Sequence, residues 1–310
     1  MLLFFAAWIG LTTHGLAQDE ASTLSPKSNA VIRQDWSASS AEPPLRRFKR
    51  QALQSISLLS GSAADISGDE LDSGFIDVSV GSGIPLGSFE NILAVTPRAR
   101  IDWIDAAAGI DIPNELYLFE TQFFYRRPIS KRFSAMGIFS PSIRSDLSTS
   151  DKAFRVFALG LINWELLPQR LTISGGAVYL GRADLPVLPA LGLTWRPNRQ
   201  SKLDLRFPDS RWSYRWHRGW DKDGLANERW TYLALGLGGN TWAVKRADGV
   251  SDELSLRDIR LRLGIEKLRD GGGGWMLESG FAFNRRIEYE LLDQEIRLGS
   301  AIIFSAGWRY

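Results

Sequence analysis

From Leu53 onward the apolar residues recur at every second position, stretch after stretch. Ile76, Val78 and Val80 alternate with Asp77 and Ser79. Leu93, Val95, Pro97, Ala99, Ile101 and Trp103 alternate with Thr96, Arg98, Arg100 and Asp102. Tyr117, Phe119, Thr121, Phe123 and Tyr125 form an aromatic row opposite Leu118, Glu120, Gln122 and Arg126. The same rhythm returns at Phe133–Phe139, at Phe154–Trp164 against Arg155, Asn163 and Glu165, and at Leu171–Tyr179 against Arg170 and Arg182. It continues through Val187–Trp195, Ile259–Ile265 against Asp258, Arg260, Arg262 and Glu266, and Trp275–Phe283 against Glu278 and Arg286. The last fifteen residues are the clearest. Ile296, Leu298, Ile302, Phe304, Ala306, Trp308 and Tyr310 share one face, and Arg297, Gly299, Ala301, Ile303, Ser305, Gly307 and Arg309 the other. A period of two is that of a β-strand, whose successive side chains point to opposite faces.

These rows approach the roughly 9–11 residues that a tilted strand needs to cross a bilayer, longer than the roughly 5–6 of an ordinary strand. The expected fold is therefore all-β, an antiparallel transmembrane β-barrel over 52–310. Merging the weakest alternations between Lys202 and Trp242 leads to about twelve strands, with fourteen as the next count, since bacterial barrels favour even numbers. Glycines at 236, 238 and 239 interrupt the Trp230–Trp242 row and predict a bulge or a sharp bend. Turn chemistry stands at Ala247-Asp248-Gly249, at Gly271–Gly274 and in Asp221-Lys222-Asp223-Gly224.

The start of the chain breaks the rhythm. Met1–Ala17 is the one long apolar run, too short to span a bilayer comfortably, with small residues at Gly15 and Ala17 before Gln18. It reads as a cleaved signal peptide (1–17), although no Lys or Arg precedes Lys27. Residues 18–51 have little apolar periodicity and are expected to be a structureless periplasmic tail, ending in the basic run Pro43–Arg50. That run is a solvated segment or an arm for anionic lipid or peptidoglycan.

Composition narrows the chemistry. The 310 residues contain no Cys and two His, which leaves no thiolate nucleophile and no Cys- or His-rich metal site; no cofactor is expected. A net charge of +2, from 37 basic and 35 acidic residues, argues against a nucleic-acid partner. The polar face supplies lumen candidates: Arg98, Arg100, Glu120, Arg126, Arg155, Glu165, Arg170, Arg182, Arg260, Arg262, Glu278, Arg286 and Arg297. They read either as ion pairs that hold a closed lumen or as a pore lining that favours anions. The outward aromatics, Trp103, Tyr117, Tyr125, Trp164, Tyr179, Trp195, Trp212, Trp216, Trp275, Trp308 and Tyr310, read as interfacial girdles. The dense Trp212–Trp216 group could alternatively stack on a sugar or lipid. No catalytic set emerges. His217 and Ser213 are i and i+4 on a strand, roughly 13 Å apart, and no G-x-S-x-G elbow is present. Asp221–Glu228 lacks the spacing of a calcium loop.

Several strings have a familiar order. They are Ile112–Tyr117, Val178–Arg182, Leu188–Asn198, Leu203–Pro208, Gly238–Val244, Asp258–Arg260 and Phe281–Tyr289. Over about Leu53–Tyr310 the chain resembles an uncharacterised domain-of-unknown-function family of predicted outer-membrane β-barrels, common in planctomycete-type bacteria. The resemblance implies the barrel and assigns no functional residue. A last strand ending in an aromatic also resembles bacterial outer-membrane barrels, whose assembly machinery reads that strand; this implies outer-membrane lipid and that machinery, through 296–310, as partners. The expected function is a passive porin-like channel for small solutes, not an enzyme. The alternatives are a closed structural or envelope-interaction barrel, and an outer-membrane lipid hydrolase using His217.

Overall fold

The computed structural model describes residues 45, 46, 49, 51–66, 68, 70–87, 91–179, 187–291 and 294–310. The expected signal peptide, Arg182 and almost all of the expected tail lie outside them.

Fifteen strands make one sheet: β1 (Leu53–Asp65), β2 (Leu71–Pro85), β3 (Ile92–Ala106), β4 (Glu115–Pro128), β5 (Phe133–Ser145), β6 (Phe154–Leu167), β7 (Leu171–Tyr179), β8 (Val187–Trp195), β9 (Ser201–Arg206), β10 (Asp209–Trp220), β11 (Ala226–Lys245), β12 (Ser251–Arg269), β13 (Gly274–Tyr289), β14 (Gln294–Leu298) and β15 (Ala301–Arg309). Each pairs antiparallel with its neighbour in sequence through β13. β15 pairs with β13 on one side and with β1 on the other, from Ser57↔Arg309 to Asp65↔Ala301, and so closes the sheet on itself. The ring has 14 strands, with β14 as an extra piece along the upper part of β13. The expected twelve is corrected to fourteen: the weak alternation at 201–216 is two true strands, β9 and β10, each paired on both edges.

The period-two rows hold for most of the wall. Ile76, Val78, Phe119, Phe139, Leu191 and Phe304 are exposed on the outer face, while Asp77, Glu120, Ser140 and Thr194 are buried inside. Two places depart from the rhythm. In β13, Asn284 has φ 51°, and the register to β12 slips between Ile259↔Phe283 and Arg257↔Arg286. The slip turns Arg285 inward and Arg286 outward. Between β14 and β15 the strand is broken at Gly299-Ser300, so the faces exchange again. Ile296 and Leu298 pack inward, and Arg297, 88% exposed, points out. The single face expected from Ile296 to Tyr310 is therefore two half-faces of opposite sense, because a one-residue insertion reverses every side chain beyond it.

Strands β11, β12 and β13 are longer than the short wall of β7, β8 and β9, and they bend together at one level. Gly238-Gly239, Asp258 and Asn284 mark the bend. Gly239 has φ +102°, and a Cβ there would run into the Leu256 carbonyl oxygen, so glycine is required. Above the bend β11 leaves β10, whose ladder with it stops at Asp209↔Gly236, and meets β5 through Ala243↔Ser145. The lobe so formed packs on the inner side of β2–β4. Trp242, Val244, Leu254, Ile287 and Tyr289 of the lobe bury themselves against Leu71, Ile104, Ile112 and Leu116 of that wall. Burying each such large side chain contributes about 1.5–3 kcal/mol, which keeps the lobe in the mouth opposite the chain ends.

Replacing Gly239 by Val is expected to cost on the order of 1–3 kcal/mol of backbone strain and to lower the chemical-unfolding midpoint. The control Leu237→Val, on the outer face two residues away, is expected to leave it nearly unchanged.

Candidate functional site

The barrel interior gathers most of the charged residues expected there, and it does so as pairs. Cross-strand neighbours in β2 and β3 bring Arg98 onto Asp77, both largely buried. Arg100 pairs with Asp102, two residues along the same strand, and its guanidinium lies 3.8 Å over the Phe75 ring. Arg144 stands 3.8 Å from Glu120 and donates to Asn240 Oδ1 of the lobe at 2.6 Å. Arg155 pairs with Glu253 of the lobe at 2.8 Å. On the other side of the lumen Arg262 bridges Asp209 at 2.7 Å and Glu278 at 3.5 Å. Glu278 also accepts from Tyr232 and Ser305. Arg260 pairs with Asp258, and Arg211 with Glu266 at 2.5 Å. Carboxylate and guanidinium alternate around the inner wall because strands paired in register put their inward side chains side by side. Each buried charge needs such a partner.

Not every candidate belongs to this set. Arg170 is exposed in the turn after β6, and Glu165 takes the Gln169 backbone N–H at the same end. Arg286 and Arg297 share Glu295 on the outer side, for the register reasons given above. The bulge that turned them out brings in Arg285, a residue the strict alternation passed over. Arg285 reaches Asp65 at 3.4 Å and donates to the Leu71 carbonyl at 2.7 Å, fastening β13 to β1 and β2. Arg126 faces inward but makes no ion pair or side-chain hydrogen bond among the described residues; Glu165 is the carboxylate whose field reaches it. Arg196 likewise makes no ion pair among the described residues; its backbone N–H donates to the Arg170 carbonyl, and the fields of Asp204, Glu228 and Glu165 reach it.

One inner surface had no counterpart among the charged candidates. β6 reads FRVFALGLINWELL, apolar on both faces through its middle. Its inward residues Leu159 and Leu161 pair with Ile138 and Met136 of β5 on one side, and with Val178 and Gly176 of β7 on the other. Arg126 is the cross-strand partner of Met136. The signal was present in the sequence as an unbroken apolar run where a lumen strand should alternate.

The outward aromatics lie on the outer surface. Trp164 stacks on Phe133, with ring centroids 5.9 Å apart. Trp275 is directly paired with Trp308 near the chain-terminal end, where Trp164, Trp195 and Tyr310 also end their strands. Trp103, Tyr117 and Tyr179 stand at the opposite ends of β3, β4 and β7. Trp212, Trp216 and the added Trp220 are exposed along β10. Ser213 and His217 are not brought together. Ser213 is buried and accepts from Arg211 at 3.0 Å, while His217 is exposed beyond a register shift after Arg215. Asp221 accepts from Lys267 and Asn227 and pairs with Arg269. The hydrogen bond from Lys267 holds its carboxyl below the usual range, so protein cations occupy the place a calcium ion would need. The described part of the basic segment is tied down. The Arg46 backbone N–H donates to the Asp270 carboxylate, its carbonyl accepts from the Gly271 N–H, and the Lys49 ammonium lies 3.4 Å over the Tyr310 ring.

The ion pairs are expected to carry the wall's stability. Asp77→Asn leaves the Arg98 guanidinium buried without its main partner and is expected to cost roughly 3 kcal/mol in chemical unfolding, near the lower end for a broken buried pair. The double variant Asp77→Asn with Arg98→Gln is expected to recover part of that loss.

Residues 107–230 match the family model described as "Domain of unknown function (DUF6268)". No curated protein matches the chain. Among solved structures, the β domain of the Bordetella autotransporter Brka is similar at 11% identity, over 84% of this chain and 99% of that one, with a TM-score of 0.36. The siderophore receptor PirA from Pseudomonas aeruginosa is similar at 10% identity, over 86% of this chain and 81% of that one, with a TM-score of 0.19. Neither superposition is close enough to carry an activity to this chain.

Proposed function

We propose that this chain spans a bacterial outer membrane as a small-solute channel that rests closed, its mouth occupied by the bent lobe of β11–β13. The outer surface carries the membrane part of the reading. Strand after strand exposes Ile, Leu, Val and Phe, with Trp and Tyr near the strand ends, over far more than the roughly 300–600 Å² of apolar patch that a soluble monomer tolerates. A closed ring with its polar side chains inside is one of the two architectures that satisfy every backbone group in lipid.

The single observation that carries the resting-closed part is the lobe's hold on the far wall. Arg144–Asn240, Arg155–Glu253 and Lys152–Glu290 tie it across the mouth over the buried Trp242–Leu116 cluster. These ties are polar, and Lys152–Glu290 is half exposed. An exposed pair contributes only about 0–1 kcal/mol, so the hold rests on the buried cluster and on the two less exposed ties, Arg144–Asn240 and Arg155–Glu253. Most lumen charges are paired, and Arg126 and Arg196 remain as inward cations, which supports a weak preference for anions.

Planar-bilayer recording tests the reading. The wild-type chain is expected to insert and conduct rarely. Asn240→Ala combined with Glu253→Gln removes lobe ties without touching the barrel ladder and is expected to raise the open fraction several-fold. Steady large conductance of the wild type, or an inserted double variant that never conducts, would contradict it.

A further inference from the structure

The lumen has two chemically different sides. Around β2–β3 and β9–β13 the inward side chains are charged and paired. Midway along β5–β7, Met136, Ile138, Leu159, Leu161, Gly176 and Val178 stand at adjoining ladder positions, with no charge among them. Met136 and Ile138 are each 8% exposed, and Leu159 and Leu161 are half-buried. Ion pairing among lumen charges gives no reason for an apolar stripe inside a water-facing barrel. At Gly176 a Cβ would run into the Gly160 carbonyl oxygen, so β7 lies close against β6 beside the leucines.

At the chain-terminal border of this stripe stands Arg126. It is the ladder partner of Met136 and has no ion pair among the described residues, although the other inward arginines of β3 and β5 each have a carboxylate. Arg196, also inward and without an ion pair, lies at the same end, just past β8. An apolar strip about two strands wide, bordered at one end by Arg126, which has the field of Glu165 but no ion pair among the described residues, complements one kind of molecule: a chain of methylenes carrying a single anionic head.

We propose that the β5–β7 stripe of the lumen binds a single-chain anionic amphiphile of the long-chain carboxylate class. The hydrocarbon lies along Met136, Ile138, Leu159 and Leu161, and the carboxylate is held by Arg126. This goes beyond the channel reading and does not require the lobe to open. Arg126 supplies a fork of donors matched to a carboxylate, and the stripe removes the chain from water.

The test uses the full chain refolded in phosphatidylcholine vesicles, with palmitate carrying a mid-chain diazirine as the probe and the matching diazirine hexadecanol as the neutral arm. After photolysis, labelled residues are mapped by mass spectrometry. Palmitate is expected to label Met136, Ile138, Leu159 or Leu161, whereas the alcohol labels only outward residues such as Phe139 and Ile162. Arg126→Gln is expected to cut inner labelling about tenfold, the loss of one charge-assisted contact, while outer labelling stays unchanged. Heat-dependent gel mobility reports that each variant has folded as a barrel, which separates a failed site from a failed insertion. Palmitate labels confined to outward residues, equal inner labelling by the alcohol, or inner labelling indifferent to Arg126→Gln in a folded barrel would each overturn the proposal.

Discussion

The ladder between β1 and β15 is the contact on which the rest of the molecule depends. Without it the first and last strands would each present a row of unpaired N–H and C=O groups, and a sheet this apolar on its outer face would have nowhere to put them. With it, every wall strand is paired on both sides and the inward face becomes a closed compartment. The paired charges, the lobe and the apolar stripe all follow from that enclosure. Arg98 and Asp77 meet diagonally because the register sets Asp77 opposite Arg100, two residues along, and they are costly to separate because the wall shuts them away from bulk water.

Much of this was legible in the sequence, and the failures were local. Period two carried the wall and its outward rows, because a residue such as Phe119 or Leu191 has only two faces to choose between. The glycines at 238 and 239 announced a bend, and the structure puts one there. What the alternation could not carry was parity across an irregularity. Asn284 adds one residue to β13, and Gly299-Ser300 interrupts the last strand. Past each point, inward and outward exchange, so Arg286 and Arg297 stand outside while Arg285 enters. The strand number went astray where β9 has six residues and offers too few alternations to be told from a loop. The lobe's long-range ties, such as Arg144 to Asn240, leave no trace in local pattern at all.

The lumen then has a division of labour. Paired charges hold the wall of β2–β4 and β9–β13, and the bent lobe fills the mouth over the former. Midway along β5–β7 a stripe is left apolar, beside Arg126, which has no ion pair among the described residues. On the proposed reading a small ion would meet a balanced field, whereas an anionic amphiphile would meet a surface that suits both of its ends. The uncharged stripe is therefore the feature that separates this barrel from a simple water-filled pore.

The central claim is that one face of the wall meets lipid and the other does not. The chain has no cysteine, so single cysteines can be placed on β8 without background. Nitroxide labels at 189, 191 and 193, and at 190, 192 and 194, would be read by electron paramagnetic resonance in liposomes. Collision with oxygen should be high at the odd positions and low at the even ones, alternating with period two. Equal access of a water-soluble relaxant to both sets would mean that the apolar rows face water, and the account would fall.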